Sequence, residues 1–371
     1  MSTFTCEAVR VKIKEHPNAD AIEIAQVGLY ECIVKKGYVK DGDLAIYIPE
    51  GAIVPDNVIK ASQAWDEVKD CGRLAGAGKN RVKAVKLRGV LSQGLLFSPW
   101  YGTEFTDLVS LNLNEGQDYA EHFGITKYQP TIPQTQAFKA AGALYGMTPR
   151  FDVENFKKYP DVIKPGELVA VTEKIHGISC LIGHLDSELV DGNIDPSKLY
   201  DGNGYITTKN QSKHGIVINP NIDTSIYTKT ILGKYPKIFP WLKLLCKLHR
   251  FKSLVLVGEI FGKGVQDLEY GGCEPDFRAF EMYYSDDGYT YTECHWLTLK
   301  HYCMIMKVPM VPILWEGLYK EELLDLNKGK SIIAPGQIRE GIVVRSQDGT
   351  KRLKYVSEAY LLRKGEQTEY E

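Results

Sequence analysis

In the first hundred residues, apolar positions come in short runs rich in Val, Ile and Leu, parted by glycine- and aspartate-bearing turns. "CEAVRVKIKEH", "AIEIAQVGLYECIVKKG", "DLAIYIPEGAIV" and "RVKAVKLRGVLSQGLLF" either alternate or run apolar, and "KDGD" marks a turn. A period of two places every second side chain on one face, which is the pattern of a strand. Several short strands in close succession, with no long helical period, predict a small closed β-barrel.

The pattern changes near Gln129. "QPTIPQTQAFKAAGALYGMTPR" carries prolines, threonines and then small residues, which predicts an interdomain connection over 129–149 with one helical turn. It separates an amino-terminal domain, 1–128, from a second domain, 150–371. In the latter, apolar strands ("ELVAVTEKI", "SLVLVGEIFG", "FRAFEMYY", "EGIVVRS", "TKRLKYV") alternate with helical patches such as "SEAYLLRKG". That is an α+β domain with substantial antiparallel sheet. The segment "SIYTKTILGKYPKIFPWLKLLCKLHRFK" sets Lys229, Lys234, Lys237, Lys243, Lys247, Arg250 and Lys252 among aromatic residues. It reads as an amphipathic helix whose lysines lie over a core edge; the alternative is a surface that tracks phosphates and stacks bases.

A length of 371 residues agrees with two domains. A net charge of −2 excludes a uniformly basic nucleic-acid coat but leaves room for a local basic groove. No apolar run is long enough to span a membrane, and "MSTFTCEAVRVKIKEHP" lacks the charged-then-apolar layout of an export signal. The eight cysteines are scattered without a CxxC pair. Reduced thiols in a cytoplasmic or nuclear setting follow, and neither a disulfide framework nor a zinc site.

The candidate chemistry starts at "VTEKIHGISC", where Lys174 sits between two apolar runs. After it come "LVGEIFG" with Glu259, "FRAFEMY" with Phe280 and Glu281, "EGIVV" with Glu340, and "RLKYVS" with Arg352 and Lys354. Each falls at or near the end of an apolar strand, where a side chain can point into a shared cleft. Their order resembles the collinear motifs I, III, IIIa, IV and V of the covalent nucleotidyltransferases, the polynucleotide ligases and mRNA capping enzymes. "EKIHG" is similar to motif I of the phage-type nick-sealing RNA ligases, and "HPNADAIEIAQVG" resembles the opening of tRNA-binding oligonucleotide-binding (OB) barrels. An OB-first layout resembles the ATP-dependent RNA ligases of the Deinococcus and Naegleria type. DNA ligases and capping enzymes place an OB domain after motif V, where only 17 residues follow Lys354 here. The resemblance implies an OB-like β-barrel followed by an α+β adenylyltransferase domain, ATP-grasp-like, with antiparallel sheets.

It also implies a mechanism. A free lysine has a pKa near 10.4, so roughly one in a thousand is unprotonated at neutral pH; nearby cations and partial burial raise that fraction. Lys174 would attack the α-phosphorus of ATP to give a lysyl–AMP, and the AMP would pass to an RNA 5′-phosphate before the 3′-hydroxyl closes the strand. Lys354 and Arg352 would contact phosphate, and Glu259 and Glu340 would hold Mg²⁺ or Mn²⁺ through water. Phe280 would stack on the adenine and Glu173 would accept from its amino group. Arg150, in "TPRFDVEN", would reach the triphosphate or form an interface salt bridge. Lys209, in "YITTKNQ", stands in the place of motif Ia and would contact phosphate or RNA. The implied partner is RNA with 3′-hydroxyl and 5′-phosphate ends at duplex nicks, with no membrane, and a monomer suffices. In the barrel, "KNRVKAVKLRG" puts Arg81 and Lys83 on one strand face and Lys86 and Arg88 on the other. A bulge would gather all four into an RNA contact; otherwise they form a protective charged edge.

Three departures stand out. His176 occupies the place where many family members have aspartate, which suggests that the ring orders its loop. Arg352 replaces the first lysine of motif V. The 85 residues from Lys174 to Glu259 imply an insertion near 186–250. The first two motivate one alternative, a catalytically silent RNA-binding protein; a closer alternative is a capping-type guanylyltransferase or DNA ligase.

Overall fold

The structure, a computed structural model, describes residues 4–99, 113–129, 140–190, 195–209, 215–221 and 224–363. In the amino-terminal domain β1 (Ala8–Arg10), β5 (Leu44–Ile48) and β8 (Leu95–Phe97) form one antiparallel sheet with β5 in the middle. A second sheet is the meander β2 (Lys12–Glu15), β3 (Ile22–Val27) and β4 (Tyr30–Lys35). The chain leaves the first sheet for the second at Val11, which is buried and bonds through its own amide to the Asp43 carbonyl. β5 is apolar throughout because both its faces are covered. Ile46 and Ile48 join a cluster with helix α1 (Asp56–Ala61), and Ala45 joins one with Ala25, Cys32 and Leu96.

The closed barrel expected from the strand pattern is not formed among the described residues. At the seam between β4 and β7 (Val90–Ser92) side chains interrupt the ladder. The Ile33 amide donates to the Ser92 hydroxyl at 2.9 Å and the Gln93 amide donates to the Glu31 carbonyl at 2.8 Å. The charged row also does not form. Arg81 is buried with its guanidinium 4.3 Å over the Tyr128 ring, and the chain resumes strand geometry only at β6 (Val85–Leu87). β6 turns into β7 at Arg88 and Gly89, both with positive φ (48° and 92°), as a tight hairpin requires.

The second domain is built on two sheets. The larger has the order β9 (Ala140–Ala143), β14 (Ile216–Ile218), β13 (Gly204–Thr207), β12 (Ile178–Leu185), β15 (Ser253–Phe261), β16 (Asp276–Ser285), β17 (Thr292–Glu293). The smaller has the order β10 (Glu154–Asn155), β20 (Arg352–Val356), β19 (Gly341–Ser346), β11 (Leu168–Lys174), β18 (Ile313–Leu318). All these pairings are antiparallel except β10 with β20. β9 falls inside the span read as a connection, where a strand replaces the expected helical turn; residues 130–139 of that span lie outside the described residues.

The basic segment forms α2 (Ile226–Lys234) and α3 (Ile238–His249). Ile238, Phe239, Leu242, Leu245 and Cys246 are buried against Ile182, Leu254 and Leu256 of the large sheet, and α4 (Trp296–Met306) joins the same core. Lys237, Lys243 and Lys247 stay on the exposed side, Lys243 at 2.8 Å from Asp201. Ile206 of β13 and Ile218 of β14 join these helices in the same core, and the elements so added account for the long interval before Glu259.

The two domains touch through Lys158, at 2.8 Å from Glu7, and through Lys86, at 2.7 Å from Glu358 of the short helix α5 (Glu358–Leu361). An apolar cluster of Ala84, Leu91, Val356, Tyr360 and Leu361 backs these pairs. Among the described residues no helix is long and apolar enough to cross a membrane.

Candidate active site

Lys174 ends β11 in the small sheet, and Ile178 opens β12 in the large one, so the KIHG turn is the crossover between the sheets. Val169 and Val171 face the core of the small sheet with Ile342, Val344 and Leu353. Alternation sends Ala170, Thr172 and Lys174 to the opposite face. The register aligns Thr172 with Val343 and Lys354, and Ala170 with Arg345 and Arg352. Lys174, Lys354 and Arg352 therefore project from one face, and Glu173 from the other.

Gly177 fixes the turn against β15. A Cβ there would lie 2.1 Å from the Ile260 carbonyl and 2.9 Å from Glu259 Cγ, so only glycine lets the loop approach. That approach sets Glu259 beside the lysine. Lys174 Nζ lies 2.5 Å from Glu340 Oε1. Glu340 is 1% exposed, and its Oε2 has no hydrogen-bond partner among the described residues.

Burial pushes the Glu259 carboxyl up from 4.5 to about 8; the Glu340 charge adds to this, and Lys174 and Lys209 oppose it. The sign for stability follows from linkage. A raised acid pKa means that the folded protein holds the proton more tightly, so the contribution is complete below pH 4.5 and lost as pH rises through about 8. Glu259→Gln is expected to raise the melting temperature at pH 9, without metal or nucleotide, and to leave it unchanged near pH 4. At about 1.4 kcal/mol per unit, reduced for the partial exposure, the gain is about 1–2 kcal/mol. Equal shifts at both pH values in a calorimetric scan would discard this account.

Phe280 sits at a register skip. Val257 faces Glu281 and Gly258 faces Ala279, which leaves Phe280 as the extra residue of a β-bulge. Bulges re-aim side chains. The ring packs between the cluster of Val257 and Tyr283 and the cluster of Ile175 and Tyr270. Arg345 donates to the Phe280 carbonyl and pairs with Glu293. Arg352 shares Glu293, lies 3.1 Å from Glu281, and donates from Nε to the Asp152 carbonyl at 3.1 Å. Lys209 Nζ lies 3.1 Å from Asp152 Oδ1, and the cations of Lys209 and Arg352 each lie 5.7 Å from the Phe151 ring. Arg150, the neighbour of Phe151, is exposed. Lys354 is 5% exposed and lines a cavity of about 470 Å³ between the domains, together with Tyr30, Tyr47 and Lys157.

Residues 167–356, about half of the chain, match the family described as RNA ligase. The chain belongs to the RNA ligase family. Residues 5–99 match an OB-fold domain. Among solved structures, Naegleria gruberi RNA ligase, as an arginine-to-alanine variant with ATP and Mn, superposes with a TM-score of 0.75. It is 24% identical, over 96% of this chain and 98% of its own. A lysine-to-methionine variant with AMP and Mn gives 0.75 at 23% identity, and the enzyme with PPi gives 0.74 at 22%, with the same coverage of both chains. These likenesses establish an α+β fold in which an OB domain precedes an RNA ligase domain. No match was found among curated proteins.

The RNA ligase fold thus brings Lys174, Glu259 and Glu340 together, with Lys354 on the same face as Lys174. It directs Arg352 into buried ion pairs and Glu173 to the far face. There Glu173 Oε2 accepts from the Ile332 amide at 2.8 Å, while its buried Oε1 has no partner among the described residues. Sequence reasoning missed Asp267, Tyr270 and Tyr360, which surround His176. Burial works against ionisation of Asp267, but hydrogen bonds from His176 and Arg363 outweigh it and hold the carboxyl well below the usual range. The available signal was "GVQDLEYGG", a polar stretch between glycines directly after the strand that carries Glu259.

Proposed function

We propose that this RNA ligase uses ATP to join RNA 3′-hydroxyl and 5′-phosphate ends at duplex nicks, through a lysyl–AMP formed on Lys174. The observation that carries the reading is the contact of Lys174 with Glu340 at 2.5 Å, in the crossover between two sheets and beside Glu259. An ion pair favours the ammonium form, so the free amine needs the Glu340 charge engaged elsewhere. The donor set fits a divalent cation: two carboxylates, hard oxygen ligands, one with a buried oxygen that lacks a partner. Bound there, Mg²⁺ or Mn²⁺ would supply positive charge to the phosphate oxygens and to these carboxylates.

Lys174 then attacks the α-phosphorus of ATP, pyrophosphate leaves, and a phosphoramidate remains on Nζ. Lys354 is a compact charge for the α-phosphate oxygens. Phe280 stacks on the adenine. Arg150 and Lys209 stand beside Phe151 for the triphosphate. The RNA 5′-phosphate takes the AMP, and the 3′-hydroxyl displaces it to seal the strand. All these side chains come from one chain, so a monomer suffices. The division into 1–128, a connection at 129–149 and 150–371 also stands as our proposal, with Ala140–Ala143 ceded to the large sheet. Unpaired cysteines fit a reducing compartment, cytoplasmic or nuclear.

The test is a nicked duplex with a labelled 5′-phosphate, offered with an RNA or a DNA 3′-hydroxyl strand, ATP and Mn²⁺. Sealing is expected with the RNA strand. RNA binding with neither sealing nor protein adenylylation would establish the silent binding protein, and labelling by GTP in place of ATP the capping-type enzyme.

A further inference from the structure

His176 stands where many nucleotidyltransferases carry the motif I aspartate, and in this structure a carboxylate lies directly behind it. His176 is 3% exposed, with Nε2 at 2.6 Å from Asp267 Oδ1 and Nδ1 at 3.0 Å from the Tyr360 hydroxyl. Arg363 holds Asp267 from the other side with bonds of 3.0 and 3.2 Å, and its guanidinium stacks 3.6 Å over the Tyr360 ring. A carboxylate can only accept, so Nε2 carries the proton, and in the neutral ring Nδ1 accepts from the Tyr360 hydroxyl. The loop backbone is pinned as well. The His176 amide donates to the Tyr270 hydroxyl at 2.7 Å, and the Gln266 side chain donates to the Gly177 carbonyl. Glu340 Oε2 lies 3.9 Å from His176 Nδ1, so the same ring borders the partner of Lys174.

We propose that Asp267 and Tyr360 are positioning residues for nucleotidyl transfer. They fix the plane and the proton of His176, and the Asp267 carboxylate, itself balanced by Arg363, holds the ring in the place that a motif I aspartate occupies. The proposal rests on the ligase reading of Lys174. Tyr360 extends the arrangement toward the other domain, because it packs with Ala84 and Leu91. Charge gives the argument a sign. A carboxylate introduced at position 176 would face Asp267 and Glu340 in a buried site, where like charges oppose ionisation. The same carboxylate would be accepted once Asp267 is neutral.

Single-turnover adenylylation of the full chain with α-labelled ATP tests this, with Asp267→Asn, Tyr360→Phe, His176→Asp and the double variant His176→Asp/Asp267→Asn. Asp267→Asn is expected to lower the rate at saturating ATP roughly tenfold or more, with half-saturation unchanged. Tyr360→Phe, a conservative change that keeps the ring packing, should lower it about fivefold. His176→Asp alone should be the slowest, and the double variant should exceed both of its single parents. Wild-type rates in Asp267→Asn and Tyr360→Phe would overturn the proposal, as would a double variant no faster than His176→Asp. Absence of label on the wild-type protein would instead overturn the ligase reading itself.

Discussion

Lys174→Arg is expected to abolish covalent labelling by α-labelled ATP while it leaves the melting temperature close to that of the wild type. The choice of arginine follows from the contact at 2.5 Å with Glu340, which is 1% exposed. Lys174→Ala would leave that carboxylate buried without its cation, at a cost of about 1–3 kcal/mol, and would confound loss of chemistry with loss of fold. A guanidinium keeps the pair and cannot be deprotonated, so it preserves the charge and removes the nucleophile. Loss of a covalent nucleophile costs roughly a thousandfold or more, which places any residual label below detection. Lys354 does not stand in, because it is 5% exposed and two residues closer to the sheet interior in register. The same variant should still seal RNA whose 5′ end already carries AMP, since the lysyl–AMP serves only to make that species. Label retained by Lys174→Arg would sink the covalent mechanism.

Much of this site is legible in the chain because each motif lies in, or directly beside, an apolar strand. Strand register then converts sequence order into neighbourhood: β11, β19 and β20 lie side by side, so Lys174 meets Glu340 and Lys354 shares the face of Lys174. The need for glycine at 177 comes only with the fold, where a Cβ would meet the Ile260 carbonyl. What is not legible depends on contacts between segments with no shared period. Asp267 reaches His176 across 91 residues and Tyr360 across 184, through loops and a one-turn helix. Arg352 reads as a phosphate ligand from its place in motif V, whereas its orientation is decided by Glu281 and Glu293 on other strands. The open barrel has a similar cause. The strand pattern is that of a barrel, but the hydroxyl of Ser92 takes the amide that a closing ladder would use, which no hydrophobic period reveals.

Glu293→Gln should be among the most destabilising single changes in the RNA ligase domain. Glu293 accepts Arg345 on one oxygen and Arg352 on the other, and all three side chains are largely buried (4–14% exposed). Removing one charge from such a group leaves cations that have already lost their water, which costs about 3–5 kcal/mol. Glu281 stays 3.1 Å from Arg352 and offsets part of this, so the expected loss is about 3 kcal/mol. For a domain of this size that corresponds to a fall of roughly 6–12 °C in melting temperature. The effect reaches function through Arg345, whose second bond is to the Phe280 carbonyl at the bulge. Once Arg345 loses its anchor, the bulge that aims the Phe280 ring is no longer held, and nucleotide affinity should weaken with stability. Glu293→Leu separates the two costs, since it fills the space but accepts nothing, and it should be at least as harmful as glutamine. A shift below about 2 °C in calorimetry for Glu293→Gln would show that Glu281 alone satisfies both guanidiniums.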